Sequence, residues 1–185
     1  MKAVLVSIQP KWCELIASGK KTVEVRKTRP KLKPPFKVYI YETQGRTETT
    51  WVDEEGHEIF KGRGQVIGEF VCEDITDIHY HEAADGYGVA MSHPICDFFA
   101  ESTCLKYEEL HKYLQGNNGY GWHISDLVIY HKMPKELSEF KRSCPDNVYS
   151  CAMCRHGDYT GMKCIPITRA PQSWCYVEEV TDERN

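Results

Sequence analysis

The stretch that most restricts the fold is GKKTVEVR, residues 19–26, in which apolar and polar side chains alternate behind two lysines. In an extended chain successive side chains face opposite sides, so one face of this stretch receives Val23 and Val25. The opposite face and the turn before it receive the polar side chains, which are Lys20, Lys21, Thr22, Glu24 and Arg26. We therefore predict a strand with one face in the core and a site for an anionic or polar ligand on the other. The alternative is that the lysines form a solvated helix end and that the carboxylate and guanidinium only pair on a surface strand.

The residues before this stretch predict a strand followed by a helix. Residues 3–8 (AVLVSI) are apolar and rich in β-branched side chains, as in a buried strand. Pro10 suits the first turn of a helix, and Gly19 is placed to end it. The apolar stripe of this helix, at spacing i, i+3, i+4, is Trp12, Leu15 and Ile16.

The rest of the chain predicts mostly strands with a few short helices. A basic, proline-rich loop spans residues 27–35, where a helix is excluded. Further strands are predicted at residues 36–41, 65–72 and 173–177, and an exposed hairpin at residues 49–52 and 58–60. Residues 119–130 predict one long strand or a pair of strands, and residues 95–100 and 107–114 predict short helices. This order indicates an α+β protein built on a small mixed β-barrel, and not a layered βαβ fold.

Three segments in this order resemble the ASCH domain, a relative of the PUA-like small β-barrels that are associated with RNA. The G-x-K-x-x-E-x-R core of that family is matched by Gly19, Lys21, Glu24 and Arg26. The segments GYGWHISDLVIY (residues 119–130) and RAPQSWCYVEE (residues 169–179) are similar to the closing strands of one subgroup. The resemblance implies a single PUA-like domain over residues 1–179, with a cysteine-rich insertion near its C-terminus and a tail at residues 180–185.

Charge is distributed unevenly along the 185 residues, whose net charge is −4. Residues 1–37 contain ten Lys or Arg against two acidic side chains, whereas the remaining residues contain 13 basic and 25 acidic side chains. A basic N-terminal region on an acidic body favours an anionic partner, although many basic loops are only solvated. Because the sequence has no apolar run near the ~18 residues of a membrane span and no signal-peptide pattern, we expect a cytoplasmic protein.

Four of the nine cysteines are close together in the sequence and predict a structural zinc site: Cys144, Cys151, Cys154 and Cys164. Four thiolates in a loop with few apolar side chains match the tetrahedral sulfur site that Zn²⁺ prefers, and the metal would order an insertion at about 140–166. His156 or Cys175 is an alternative ligand. The other interpretations are an ordinary loop with idle thiols and, less favoured, a redox C-x-x-C, which lacks the usual βαβ surroundings.

Two functions remain open. In the first, the protein binds RNA or a nucleotide-like ligand in a cleft beside residues 19–26. The basic loop (Lys27, Arg29, Lys31 and Lys33) then contacts phosphates, and Trp12, Tyr41 or Trp122 stack on bases, in addition to the polar side chains of residues 20–26.

In the second, the resemblance implies a small hydrolase, since some ASCH proteins are similar to amidohydrolases that act on acylated nucleosides. Lys21 matches their lysine, but Glu24 occupies the position of their threonine. A second carboxylate then comes from Glu69 or Glu73. His123 either lines the cleft or satisfies a hydrogen bond in the core.

Overall fold

The computed structural model describes residues 1–44, 51–52, 58–59, 62–79, 96–143 and 166–180. The strands are β1 (Lys2–Ile8), β2 (Val23–Arg26), β3 (Phe36–Glu42), β4 (Trp51–Val52), β5 (Glu58–Ile59), β6 (Val66–Ile78), β7 (Gly119–Ile129) and β8 (Trp174–Glu178). The helices are α1 (Pro10–Ala17), α2 (Cys96–Thr103) and α3 (Tyr107–Leu114), and a short 3-10 turn spans Leu137–Glu139. None of the described helices has the length and apolar character that a bilayer span requires.

Strand β1 is buried along its whole length after Lys2, which explains its uninterrupted apolar sequence. It runs parallel to β3 on one side and antiparallel to β8 on the other. The complete sheet has six strands in the order β2-β7-β6-β3-β1-β8, and β4 and β5 form a separate hairpin. The predicted hairpin and mixed sheet are therefore confirmed.

The predicted closure of the sheet into a barrel is wrong. Each of the end strands of the order, β2 and β8, pairs with a single strand in the part of the chain that is described. A barrel requires its first and last strands to pair with each other. Here these strands have only four and five residues, against 13 in β6, and such short strands leave little exposed edge to be covered.

Two other predictions from the sequence need correction. Strand β6 continues to Ile78, beyond the predicted end at residue 72; Glu73 and Asp74 in its second half face solvent, and Ile78 is buried again. The buried residues of α1 are Cys13 and Ile16, whereas Trp12 is half-buried and contacts charged side chains.

The chain divides into two compact units. The first unit comprises Met1–Pro10, Lys37–Glu69 and Val128–Asn185, and the second comprises Lys11–Phe36 and Phe70–Leu127. The buried core of the first unit contains Ala3, Leu5, Tyr39, Val66, Phe140, Ile167 and Val177. The buried core of the second contains Val23, Val25, Ile78, Phe99, Leu110 and Leu114. The predicted apolar face of β2 is thus part of the second core.

Candidate functional site

The turn between α1 and β2 directs Lys21 into the second unit. Gly19 has a φ of 73°, a left-handed conformation that ends helices readily, and the Lys21 backbone N–H donates to the carbonyl of Leu15 at 2.9 Å. The Lys21 side chain is therefore buried, with 2% exposure. Its ammonium donates to the carbonyl oxygens of Val23 at 2.9 Å and Thr103 at 2.7 Å.

Glu24 lies between two cations. One carboxylate oxygen is 3.3 Å from Nζ of Lys21, and the other is 2.8 Å from a terminal nitrogen of Arg26. All three side chains are buried, and together they carry one net positive charge. Burial of the ammonium lowers the pKa of Lys21, and the charge of Glu24 opposes this shift. We call this group the Lys21–Glu24–Arg26 cluster.

Aromatic rings surround the cluster. Because Glu24 lies opposite Trp122 and Arg26 lies opposite Tyr120 in the antiparallel β2–β7 pair, both rings share the charged face of β2. Trp122 is fully buried and packs edge-on against Phe36.

Trp12 contributes a second aromatic surface from α1. Its ring lies 5.2 Å from Nζ of Lys21 and 4.7 Å from Nζ of the exposed Lys11. An aromatic ring attracts both cations electrostatically. The predicted ligand residues Trp12, Lys21, Glu24 and Arg26 are therefore brought together in one unit.

Tyr113 was not predicted from the sequence. It lies on α3, is 37% exposed, and carries Nζ of Lys27 at 5.4 Å from its ring centroid. The pKa of its hydroxyl is raised, mainly by partial burial. The charge of Arg26 and a hydrogen bond from the Lys27 backbone oppose this shift. Tyr113 thus lies partly at the surface and interacts electrostatically with Arg26 and Glu24 of the cluster. The only signal in the sequence is an aromatic residue near the end of a short amphipathic helix.

Three other predicted ligand residues take no part in the described ion pairs of the cluster. Lys20 and Thr22 are exposed, and the backbone of Thr22 pairs with Ser102 and Ile124. Tyr41 belongs to the first unit, where it packs against that unit's core.

The two carboxylates considered for a hydrolase, Glu69 and Glu73, take no part in the described ion pairs of the cluster. Glu69 belongs to the first unit, where it pairs with Lys37 at 2.8 Å and accepts a hydrogen bond from the Tyr130 hydroxyl. Glu73 is exposed on β6. His123 is half-buried and shares a hydrogen bond with Thr76 at 2.7 Å.

The basic loop after β2 is exposed to solvent at all four of its predicted cations, Lys27, Arg29, Lys31 and Lys33. The Arg29 guanidinium lies 5.5 Å from the ring centroid of Tyr120 and 3.8 Å from a carboxylate oxygen of Asp77. Both members of this ion pair are about half exposed, so it holds the arginine only weakly.

The four predicted zinc ligands, Cys144, Cys151, Cys154 and Cys164, lie outside the described residues. The alternative ligand Cys175 is half-buried on β8, and burial raises the pKa of its thiol. Within the described ranges, no three His, Cys, Asp or Glu side chains are grouped as a metal ion would need.

Comparison with known proteins identifies the fold. The family described as the ASCH domain matches residues 6–131. The crystal structure of ASCH from Zymomonas mobilis is 17% identical and aligns over 96% of this chain and 88% of its own, with a TM-score of 0.50. A tyrosine-to-phenylalanine mutant of that protein is also 17% identical and aligns over 97% and 92%, with a TM-score of 0.50. No curated protein matches the chain.

Proposed function

Because the chain belongs to the ASCH domain family, which is associated with RNA binding, we propose that it binds RNA or a nucleotide-like ligand beside β2. The segment in question lies within the matched residues 6–131. The observation that carries the proposal is the set of exposed cations on both sides of β2 in the chain. They are Lys20 before the strand and Lys27, Arg29, Lys31 and Lys33 after it.

Exposed lysines and arginines supply the phosphate contacts that dominate nucleic-acid affinity. The Lys21–Glu24–Arg26 cluster supports the same proposal, because its net positive charge is buried and therefore weakly screened. Its internal ion pairs also fix the strand from which the basic loop departs. The loop thus supplies exposed positive charges, and the cluster supplies a buried one.

Titration of a labelled single-stranded RNA at several salt concentrations tests this function. Affinity should fall with salt, each phosphate contact adding about 0.7 to the log–log slope. Reversing Lys27, Arg29, Lys31 and Lys33 to Glu should weaken binding and reduce the slope. The matched control reverses four exposed cations of the first unit, Lys132, Lys141, Arg142 and Arg169, which changes the net charge equally. Equal loss of affinity in both variants, or no binding by the wild type, would refute the proposal.

A small hydrolase is the second candidate, and one observation favours it. Burial lowers the pKa of Lys21, and a lysine with a lowered pKa beside a carboxylate can transfer protons. Against this, its ammonium is already surrounded by Glu24 and two backbone carbonyls. Turnover of N-acylated cytidines by the wild type, and its loss in Lys21→Ala, would establish the hydrolase; we expect no turnover.

A further inference from the structure

Two cations of the basic loop just after β2 each lie over an aromatic ring. Nζ of Lys27 lies 5.4 Å from the ring centroid of Tyr113, and the guanidinium carbon of Arg29 lies 5.5 Å from that of Tyr120. The cations are exposed, and both rings reach solvent, Tyr113 with 37% exposure and Tyr120 as a half-buried residue. All four residues belong to the second unit.

The rings are held by regular structure, whereas the cations come from a loop. Tyr113 lies on α3 beside Leu114, which is fully buried in the core of the second unit. Tyr120 lies on β7, opposite Arg26 of β2. Regular structure therefore fixes the backbone that carries both rings, whereas the exposed lysine and arginine side chains can change rotamer. A fixed ring and an adaptable cation are the two parts of a site that binds single strands.

We propose that Tyr113 and Tyr120 form a stacking platform for unpaired bases of single-stranded RNA, with Lys27 and Arg29 on the adjoining phosphates. The proposal rests on the RNA-binding function proposed above and specifies the form of its ligand. Unpaired bases expose the faces that stack on tyrosine, whereas a duplex presents mainly phosphates and groove edges.

The present partners of the cations do not block this role. Exposed cation–aromatic contacts are weak, so a base can replace the cation on a ring while the cation moves to a phosphate. Lys27 also donates to the side-chain oxygen of Gln115 at 3.3 Å, in an exposed hydrogen bond. The Arg29–Asp77 pair, at 3.8 Å and about half exposed, is equally replaceable.

The test compares variants that remove an aromatic ring with one that removes only a hydroxyl. Fluorescence anisotropy with a fluorescein-labelled single-stranded RNA gives the Kd of the wild type, Tyr113→Leu, Tyr120→Leu and Tyr113→Phe. Each leucine variant should bind about tenfold more weakly, since one stacked base is lost, and Tyr113→Phe should keep its affinity. The salt slope should stay unchanged in all of them, because the phosphate contacts remain.

A matched control exists in the first unit, where Nζ of Lys2 lies 5.5 Å from the Tyr176 ring. Tyr176→Leu removes a similar pair and should leave the Kd unchanged. A second measurement uses the wild type alone, so that it does not depend on the folding of any variant. RNA carrying the fluorescent base 2-aminopurine should lose fluorescence on binding, because stacking on an aromatic ring quenches it.

The outcomes separate this inference from the function on which it rests. If the wild type binds RNA but the leucine variants bind equally well, the platform is refuted and the RNA-binding function stands. Binding without a change in 2-aminopurine fluorescence, or equal affinity for a duplex of the same sequence, also refutes the platform alone. If the wild type binds no RNA, both proposals fall.

Discussion

Glu24 binds a different cation with each of its carboxylate oxygens. This arrangement satisfies two buried positive charges with one negative charge, at 3.3 Å from Lys21 and 2.8 Å from Arg26. Removing the charge of Glu24 leaves both cations buried and uncompensated, which costs more than the ion pairs gained. The three residues therefore contribute unequally to stability. Glu24 takes part in both ion pairs, whereas each cation takes part in one, and Lys21 also donates to two backbone carbonyls.

The first prediction follows from this inequality. Glu24→Gln should lower the free energy of unfolding by about 3–5 kcal/mol, because two buried cations lose their counter-charge. Lys21→Met should cost less, about 1.5–3 kcal/mol, since the pair between Glu24 and Arg26 survives and only the ammonium's contacts are lost. Urea denaturation of both variants gives the order. A larger loss of stability in Lys21→Met than in Glu24→Gln would contradict this order. It would show that the hydrogen bonds of the ammonium to the backbone stabilise the fold more than the ion pairs of Glu24 do.

The second prediction concerns Cys72, a fully buried residue of β6. Burial raises the pKa of its thiol from 9.0 to about 12. The unfolded thiol therefore ionises first as pH rises, so stability falls between pH 9 and about 12, by about 1.4 kcal/mol per pH unit. Below pH 9 this residue should contribute no pH dependence.

Cys72→Val keeps the volume of the side chain and removes its titration. The difference in unfolding free energy between the wild type and this variant should be constant below pH 9 and should shift in favour of the variant above it. Measuring the difference cancels the other groups that titrate at alkaline pH, among them Tyr39, whose pKa is also raised by burial. Parallel pH profiles would contradict the expected shift.

At the scale of helices and strands, local patterns in the sequence predicted the positions of several elements. Helix α3 lies at the predicted residues 107–114, and β7 begins at the predicted Gly119. That the polar face of β2 is buried was not predictable, although Trp122 was expected beside residues 19–26. The carbonyl of Thr103 lies 82 residues from Lys21 in the chain, and Trp122 and Tyr113 are about as far from β2. Periodicity reports which face a side chain takes, but only tertiary pairing decides whether that face meets solvent.

The third prediction tests the packing of β2 against its neighbours. A Cβ added at Gly121 of β7 would lie 2.9 Å from Cγ1 of Val23 and 3.0 Å from Cε2 of Phe99. Gly121→Ala should therefore lower stability by about 1–3 kcal/mol through overpacking.

Val23→Ala removes one of the two clashing atoms and provides a double-mutant cycle. The combined variant should lose less stability than the sum of the two single changes, by at least about 0.5 kcal/mol. If the losses of stability are strictly additive, the two positions are not coupled, and the added methyl group is accommodated without a clash against Val23. Thermal or urea unfolding of the four proteins in the cycle supplies the comparison.

At the scale of the whole molecule, the ASCH family and its PUA-like fold were correctly predicted, and the closed barrel was not. The resemblance depended on three short segments, two of which lie within the matched residues 6–131, and short motifs of this kind are visible in local sequence. Closure depends on whether the first and last strands of the sheet meet, and no local pattern of β2 or β8 encodes that. The ligand residues stay a prediction: the structure brings Lys21, Glu24 and Arg26 of the motif into one buried cluster, and Tyr41 belongs to the first unit.

The fourth prediction concerns the zinc site, which stays a prediction from the sequence. Protein purified under reducing conditions should carry about one equivalent of zinc, held by Cys144, Cys151, Cys154 and Cys164. Cys151→Ser should release the metal. The cores of both units should remain folded, because the core residues that the structure describes, such as Leu5, Tyr39 and Val25, come from strands outside the predicted insertion. Elemental analysis that finds no zinc in freshly prepared wild-type protein would remove the site.

The contact between Lys21 and Thr103 has a consequence for helix α2. Thr103 is the last residue of this helix, so its carbonyl is one of those left without a partner inside the helix, at the negative end of the helix dipole. The ammonium, 2.7 Å away, acts as a C-terminal cap supplied from 82 residues earlier in the chain. Whatever neutralises or displaces this charge should therefore loosen the last turn of α2, and hydrogen exchange at its final amides would register the change.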